Sequence, residues 1–333
     1  PRPALPGRKE VVMSTVGITG AAGYIGQRLI VHLDKQDWCK KILGTDVKEP
    51  TVASEKLEFL KQDVRDPGLI DFWRGRNVDT LVHLAFIVDP IHDEAMMYDV
   101  NVNGTLNILQ ICDQLQVGHV IAASSGTAYG AWPDNPEPLK EDDPIRLFPP
   151  SFNYTHHKGL NERHFADFIE RHPDVIFNIV RPCVVYGPTT DNYLSRYLKN
   201  LPRTVLIDGR DPNLQFVHED DLAELFVLLI EKKVPGAFNA AGDGLMRASE
   251  VGAMIGKTPI KMPRWFMYGL IWLLWRLRIP TVEAPEGIVN YTMYPWVLDT
   301  TRAKELLGWR PRYTSRETAR IMFETHGFPL AAP

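Results

Sequence analysis

The chain has 333 residues, 44% of them apolar, a formal net charge of −4 and three cysteines. That is ample for one large domain or two lobes sharing a cleft, and the faintly acidic balance argues against a nucleic-acid partner. Cys39, Cys112 and Cys183 lie far apart in sequence, as reduced thiols in a cytoplasmic setting do, rather than as a disulfide frame.

Pro1–Val12 is rich in proline and charge and carries no secretory pattern. Met13 is a candidate start, which makes the stretch before it an appended leader or a native arm. Val16-Gly17-Ile18-Thr19 then has the character of a buried parallel strand. Gly20, Gly23 and Gly26 follow at spacing three, and Gln27–Leu33 shows apolar residues at helical spacing. Glycines permit a tight turn and leave no side chain between backbone and ligand. The helix N-terminus behind them offers free N–H groups to a pyrophosphate. The alternative is a turn with no ligand.

Lys41–Thr45 reads as the second strand, with Asp46 at its end. A carboxylate there accepts both ribose hydroxyls of an adenosine and repels a 2′-phosphate, so Asp46 favours NAD over NADP. Lys48 nearby weakens that preference, and a solvated loop acid is the other reading of Asp46. His119–Ser125 reads as a later strand ending in the two hydroxyls of Ser124 and Ser125. Strand C-terminal ends are where open α/β sheets place ligands.

Tyr154 and Lys158 stand four residues apart in a stretch that Phe152, Leu160, Phe165 and Phe168 mark as helical, so they share a face. A tyrosine is a poor base at neutral pH. A neighbouring ammonium favours the phenolate, which can then take an alcohol proton as hydride leaves the same carbon, or return it in reverse. Ser125 could orient the substrate oxygen toward Tyr154. Taken alone, the Tyr/Lys spacing is most often an ordinary surface pair.

Strand and helix patterns alternate from Thr15 to about Arg181, as in a parallel sheet with right-handed crossovers. Past Gly187 the regularity weakens, with returns to the sheet expected near Pro182 and at Phe238-Asn239-Ala240. Trp265–Trp275 is eleven uncharged residues, too short to span a bilayer. It reads as a buried or dimer-packed helix, as an apolar lid over a hydrophobic substrate, or as a helix touching a membrane surface through its tryptophans. The histidines show no ligand spacing with cysteines or carboxylates, so no metal is expected.

Taken together these motifs resemble an extended short-chain dehydrogenase/reductase of the NAD-dependent epimerase/dehydratase family. Further stretches carry the likeness: Asp63-Val64, His83-Leu84-Ala85, Asn101–Thr105, Ser124–Gly130, Arg181–Pro188, Phe216–Asp221 and Leu307–Pro311. The resemblance implies an α/β fold: a doubly wound parallel Rossmann sheet over 13–186, with returns near 217–241. A smaller, mixed C-terminal substrate lobe would take 187–216 and 242–330. It implies Ser125, Tyr154 and Lys158 as the catalytic trio, with NAD held along Gly20, Gly23, Tyr24, Ile25, Gly26 and Asp46. Asp63 and Val64 would lie at the adenine, Leu84 and Ala85 along the cofactor, and Asn101 near the active site. It also implies a homodimer through helices carrying 92–115 and 152–171, where Phe152, Leu160 and Phe165 are either the apolar contact or ordinary core.

Members acting on nucleotide sugars commonly hold the diphosphate with an asparagine and an arginine, and the corresponding positions here are Val184 and Leu214. Arg196, Arg203, Arg210 or Arg302 could compensate. Gly126 and Thr127 stand where sugar dehydratases carry an acidic pair, which argues against dehydration. The leading expectation is a dehydrogenase/reductase exchanging NAD against a small-molecule secondary alcohol or ketone. A UDP-hexose 4-epimerase that keeps NAD bound is the alternative, and a nucleotide-binding regulatory protein would not need the trio.

Overall fold

The computed structural model describes residues 14–331, so Met13 and the stretch before it lie outside the described residues. Seven parallel strands form the central sheet: β1 (Ser14–Thr19), β2 (Cys39–Asp46), β3 (Leu57–Lys61), β4 (Thr80–His83), β5 (His119–Ala123), β6 (Ile176–Pro182) and β7 (Gly236–Ala240). Their order is β7-β6-β5-β4-β1-β2-β3. The winding reverses between β1 and β4, and at such a switch point a crevice opens beyond the strand C-termini.

The strands are apolar on both faces because helices cover both. Four of these helices are α1 (Tyr24–Asp34), α2 (Gly104–Gln114), α3 (Asn153–Arg171) and α4 (Glu219–Lys232). Val16, Ile18, Val82 and Ile121 pack with Leu29, Ile30 and Leu33 of α1 and Leu225, Phe226 and Leu229 of α4. The alternate residues Leu81 and Val120 pack on the opposite side with Ile108 and Leu109 of α2 and Phe165 and Phe168 of α3. This period-two alternation is what lets one short strand feed two cores.

Three two-stranded ladders lie outside the sheet. Val184–Tyr186 pairs with Phe216–His218, Asn213–Leu214 with Met246–Arg247, and Thr204–Ile207 with Pro259–Met262. A further helix, α5 (Arg264–Arg276), buries only Met267 and Ile271. The reading of 265–275 as a buried helix is therefore corrected: its outward side chains meet solvent. Phe152 and Phe165 are each 1% exposed and belong to the core rather than to a subunit contact. Cys39, Cys112 and Cys183 are free and buried, and Cys183 sits in the core cluster as its apolar surroundings predict.

Candidate functional site

The glycine turn joins β1 to α1 under tight steric limits. Gly20 has φ +72°, and a Cβ there would lie 2.6 Å from the Ala85 nitrogen. The turn thus presses on the Leu84-Ala85 backbone, whose N–H groups both donate to Thr19 Oγ1, at 3.2 and 3.3 Å. A Cβ on Gly26 would stand 2.2 Å from the Gly20 carbonyl oxygen. Gly23 is the N-cap of α1 and supplies no side-chain cap, leaving first-turn N–H groups free of one. Asp46 is fixed beside them: its Oδ2 accepts from the Ala22 N–H at 3.0 Å and its Oδ1 from the Lys48 N–H at 3.2 Å. An uncapped helix start, a cradle that any Cβ would fill and a carboxylate at the end of the adjoining strand fit a dinucleotide.

The other expected cofactor residues are differently engaged. Arg65 grips Asp63 through Nε at 3.0 Å and Nη2 at 2.8 Å, holding the Asp63 carboxyl below its usual range. Val64 is buried, and its carbonyl accepts from Asn107 Nδ2 at 2.7 Å. Asn101 is fully buried and clamps the loop after β4: Oδ1 accepts from the Ile87 N–H at 2.7 Å, and Nδ2 donates to the Ile87 carbonyl at 3.1 Å. It fastens the strip that carries Leu84 and Ala85 and does not line the cavity.

A cavity opens at this crevice and is bordered by Tyr24, Ile25, Leu84, Ser125, Tyr154 and Lys158. The three residues named from sequence converge there from β5's C-terminal end and the first turns of α3. Ser125 Oγ accepts from the Thr127 N–H at 3.1 Å and the Thr127 hydroxyl at 2.9 Å. Burial pushes the Tyr154 phenol above its ordinary pKa, and the Ser125 and Thr127 hydroxyls pull it partway back. The neighbouring ammonium was expected to lower the phenol's pKa, but burial outweighs the groups that lower it. Burial instead drives Lys158 itself down to about 7, opposed by Glu162. Its Nζ donates to the Ala123 carbonyl at 2.8 Å and lies over the Phe86 ring, 3.6 Å from the centroid. The same ring meets Tyr154 edge-on, with centroids 5.7 Å apart.

Sequence reasoning missed Phe86 by one residue, because the motif ends at Ala85. It also missed a buried polar network beneath the site. Ser124 Oγ donates to Glu162 at 2.6 Å, and Arg181 meets both Glu162 oxygens at 2.9 Å. Arg181 Nη1 also donates to the Tyr129 hydroxyl at 2.7 Å, which donates in turn to Asn239 at 2.9 Å. The one signal for Glu162 was its place four residues after Lys158, on the same helix face.

A second compartment shares Thr127, Val184, Tyr193, Leu194 and Trp296 with the first. Leu198, Leu201, Leu214, Val251 and Ile255 complete an aliphatic wall. Its two cations contact only neutral protein groups: Arg203 one hydroxyl, Thr258 Oγ1 at 3.0 Å, and Lys257 the Leu198 and Lys199 carbonyls. Of the other arginines named as substitutes, Arg196 is paired with Asp89, Asp191 and Glu283, and Arg302 with Asp142. Arg210 lies 5.2 Å from the centroid of the Tyr294 ring.

Residues 16–241 match the family model described as the NAD dependent epimerase/dehydratase family. An uncharacterized protein of Mycobacterium tuberculosis is 28% identical over 95% of this chain and 85% of its own length. UDP-glucuronic acid decarboxylase 2 of Arabidopsis thaliana is 25% identical over 92% of this chain and 67% of its own. Among solved structures, MoeE5 in complex with UDP-glucuronic acid and NAD superposes with TM-score 0.73 at 23% identity, covering 94% of this chain and 99% of MoeE5. UDP-glucose 4-epimerase from Bifidobacterium longum, in complex with NAD+ and UDP, gives 0.72 at 19% identity over 94% and 98%. These likenesses show the doubly wound fold, and the cofactor that the Asp46 reading selected is the one the matched family uses. The chain belongs to the NAD dependent epimerase/dehydratase family.

Proposed function

We propose that the protein is an NAD-dependent oxidoreductase that interconverts a secondary alcohol and its ketone, on a substrate whose body is mainly apolar. The observation that carries this reading is the aliphatic compartment beside Tyr154, walled by Val184, Leu198, Leu201, Leu214, Val251 and Ile255. An anionic diphosphate gains most of its affinity from charge-assisted hydrogen bonds, and this wall offers few donors for them. Residues 187–216 and 242–330 form the substrate lobe in this reading.

Bound NAD supplies the hydride acceptor. The Gly20–Gly26 turn and Asp46 hold it, with Asp63, Val64, Leu84 and Ala85 along its length. Ser125, backed by Thr127, holds the substrate oxygen. Burial keeps Tyr154 a phenol at neutral pH, ready to protonate that oxygen in the reducing direction. In the oxidising direction a charged Lys158 favours the phenolate.

A second reading, a nucleotide-sugar 4-epimerase that retains NAD, draws support from the similarity to a putative UDP-glucose 4-epimerase of Methanocaldococcus jannaschii, 26% identical over 65% of this chain. Calorimetry with UDP-glucose and UDP-galactose, beside a panel of apolar secondary alcohols with NAD, separates the two. The expected result is NADH formation from alcohols and weak UDP-sugar binding. Low-micromolar binding with 4-epimer formed without added NAD overturns it. We also assign a homodimer through the helices at 92–115 and 152–171, supported by exposed Met96, Tyr98, Leu106 and Ile169. Sedimentation showing only monomer at micromolar concentration would count against it.

A further inference from the structure

α5 turns an apolar face to solvent. Trp265 is 76% exposed, Trp272 and Leu273 are each 47%, and Leu277 just past the helix is 61%. A helix lying on a protein in water normally presents polar residues outward. Here the outward positions 265, 269, 272, 273 and 276 read Trp, Gly, Trp, Leu and Arg. The inward side is already satisfied, with Met267 and Ile271 packed in the core around Tyr193, Ile207 and Tyr291. The outer apolar face therefore serves no fold contact among the described residues.

The charges that this stretch of chain itself carries are one-sided. From Val251 to Val282 the chain carries Lys257, Lys261, Arg264, Arg276 and Arg278 and no carboxylate, in a protein whose net charge is −4. Among the described residues, none of the three arginines is paired with a carboxylate side chain. Arg264 and Arg276 lie over the Tyr268 and Trp272 rings, each 5.4 Å from the centroid. Asp208 accepts only the backbone N–H of Arg264, and Glu283 is held by Arg196. Tryptophans and arginines flanking an apolar stripe are the composition of a helix seated in a lipid interface.

We propose that the outer face of α5 docks on an anionic lipid surface, with Trp265 and Trp272 at headgroup depth and Arg264, Arg276 and Arg278 toward the phosphates. The helix has 13 residues, about 20 Å at 1.5 Å per residue against roughly 30 Å of hydrocarbon, so it lies in the surface plane. No described helix is long and apolar enough to cross a membrane. A second copy of the chain is a poor occupant, because both ends of the helix are cationic and an isologous contact would bring like charges together. The proposal stands apart from the substrate reading.

Vesicle flotation of the full chain tests it, using phosphatidylcholine alone and an equal mixture of phosphatidylcholine and phosphatidylglycerol. The expected result is flotation with the anionic vesicles only, weakened by salt. The double variant Trp265→Ser/Trp272→Ser should lose flotation while keeping its circular dichroism and NAD binding, since both side chains face solvent. Arg276→Gln and Arg278→Gln should each weaken binding about fivefold. Absence of flotation with anionic vesicles overturns the proposal, as does unchanged flotation of the double variant. A double variant that turns a dimer into a monomer, when the native chain ignores vesicles, makes the face a self-contact and overturns it too.

Discussion

The Lys158 ammonium rests over the Phe86 ring, 3.6 Å from the centroid, while donating to the Ala123 carbonyl at 2.8 Å. A ring face and one carbonyl only partly replace the water that an ammonium loses on burial. The charged form is consequently disfavoured, and Lys158 titrates at about 7 instead of its ordinary 10.5. An amine four residues from Tyr154 is thus itself close to losing its charge at neutral pH.

That balance has a consequence for stability. The unfolded chain holds the Lys158 proton more tightly than the folded one between about pH 7 and 10.5, so stability rises with pH across that window. Below pH 7 the cost of burying the ammonium is fully present. Lys158→Met removes it and should stabilise the protein there by on the order of a few kcal/mol, with the gain fading toward pH 10.5. Urea denaturation of both proteins across this range checks the slope. A gain equal at every pH would show that better packing, not the buried charge, is responsible.

Tyr154→Phe isolates the phenol. The ring keeps its contacts with Phe86 and Phe152, at centroid distances of 5.7 and 6.0 Å, and only the hydroxyl facing Ser125 and Thr127 goes. Turnover should fall by about 10²–10⁴-fold, the usual worth of a positioned acid–base group, with NAD affinity unchanged by fluorescence titration. Near-native turnover would remove Tyr154 from the chemistry.

What could be read in the sequence was local. Gly20, Gly23 and Gly26 announce a turn because their spacing is short, and Tyr154 and Lys158 share a face because one helix turn relates them. β5 ending at Ser124 and Ser125 was visible because a buried strand is a continuous apolar run. The Glu162–Arg181–Tyr129–Asn239 network was not visible, since its members lie on separate elements and only the packed sheet unites them. The ionisation balance was misjudged for a related reason: spacing shows that Lys158 is near Tyr154, but burial, which sets both pKa values, depends on Phe86 and the walls around it. Three readings of 265–275 stayed open, outward tryptophans among them, because hydrophobicity alone does not say which side of a helix meets protein.

Asp46 has one duty seen in the structure and one proposed, and a pair of variants divides them. It holds the turn through the Ala22 and Lys48 N–H groups, and the second duty, proposed above, is that its charge favours NAD over NADP. Asp46→Asn keeps an acceptor for the turn and removes the charge. NAD affinity should drop about tenfold, the worth of one hydrogen bond to a charged group, and the relative affinity for NADP should rise. Asp46→Ala should lose more, because the turn loosens as well. Equal NAD and NADP binding in the native protein would refute the role given to the carboxylate.

Arg181 is the centre of the buried network, and its removal should be felt through Glu162. The guanidinium meets both Glu162 oxygens, the Tyr129 hydroxyl and the Glu141 carbonyl, the last at 2.9 Å. With Arg181→Met, Glu162 keeps only the Ser124 hydroxyl as a partner. A buried carboxylate stripped of its counter-charge costs on the order of 3–5 kcal/mol, so the variant should unfold at markedly lower urea. The loss belongs to the stranded charge rather than to the missing side-chain volume. Arg181→Met/Glu162→Gln should therefore recover a large part of it, since the amide is neutral and still accepts from Ser124. If the double variant is no more stable than Arg181→Met, the pair is not what holds this part of the sheet to α3, and the packing of the arginine stem is.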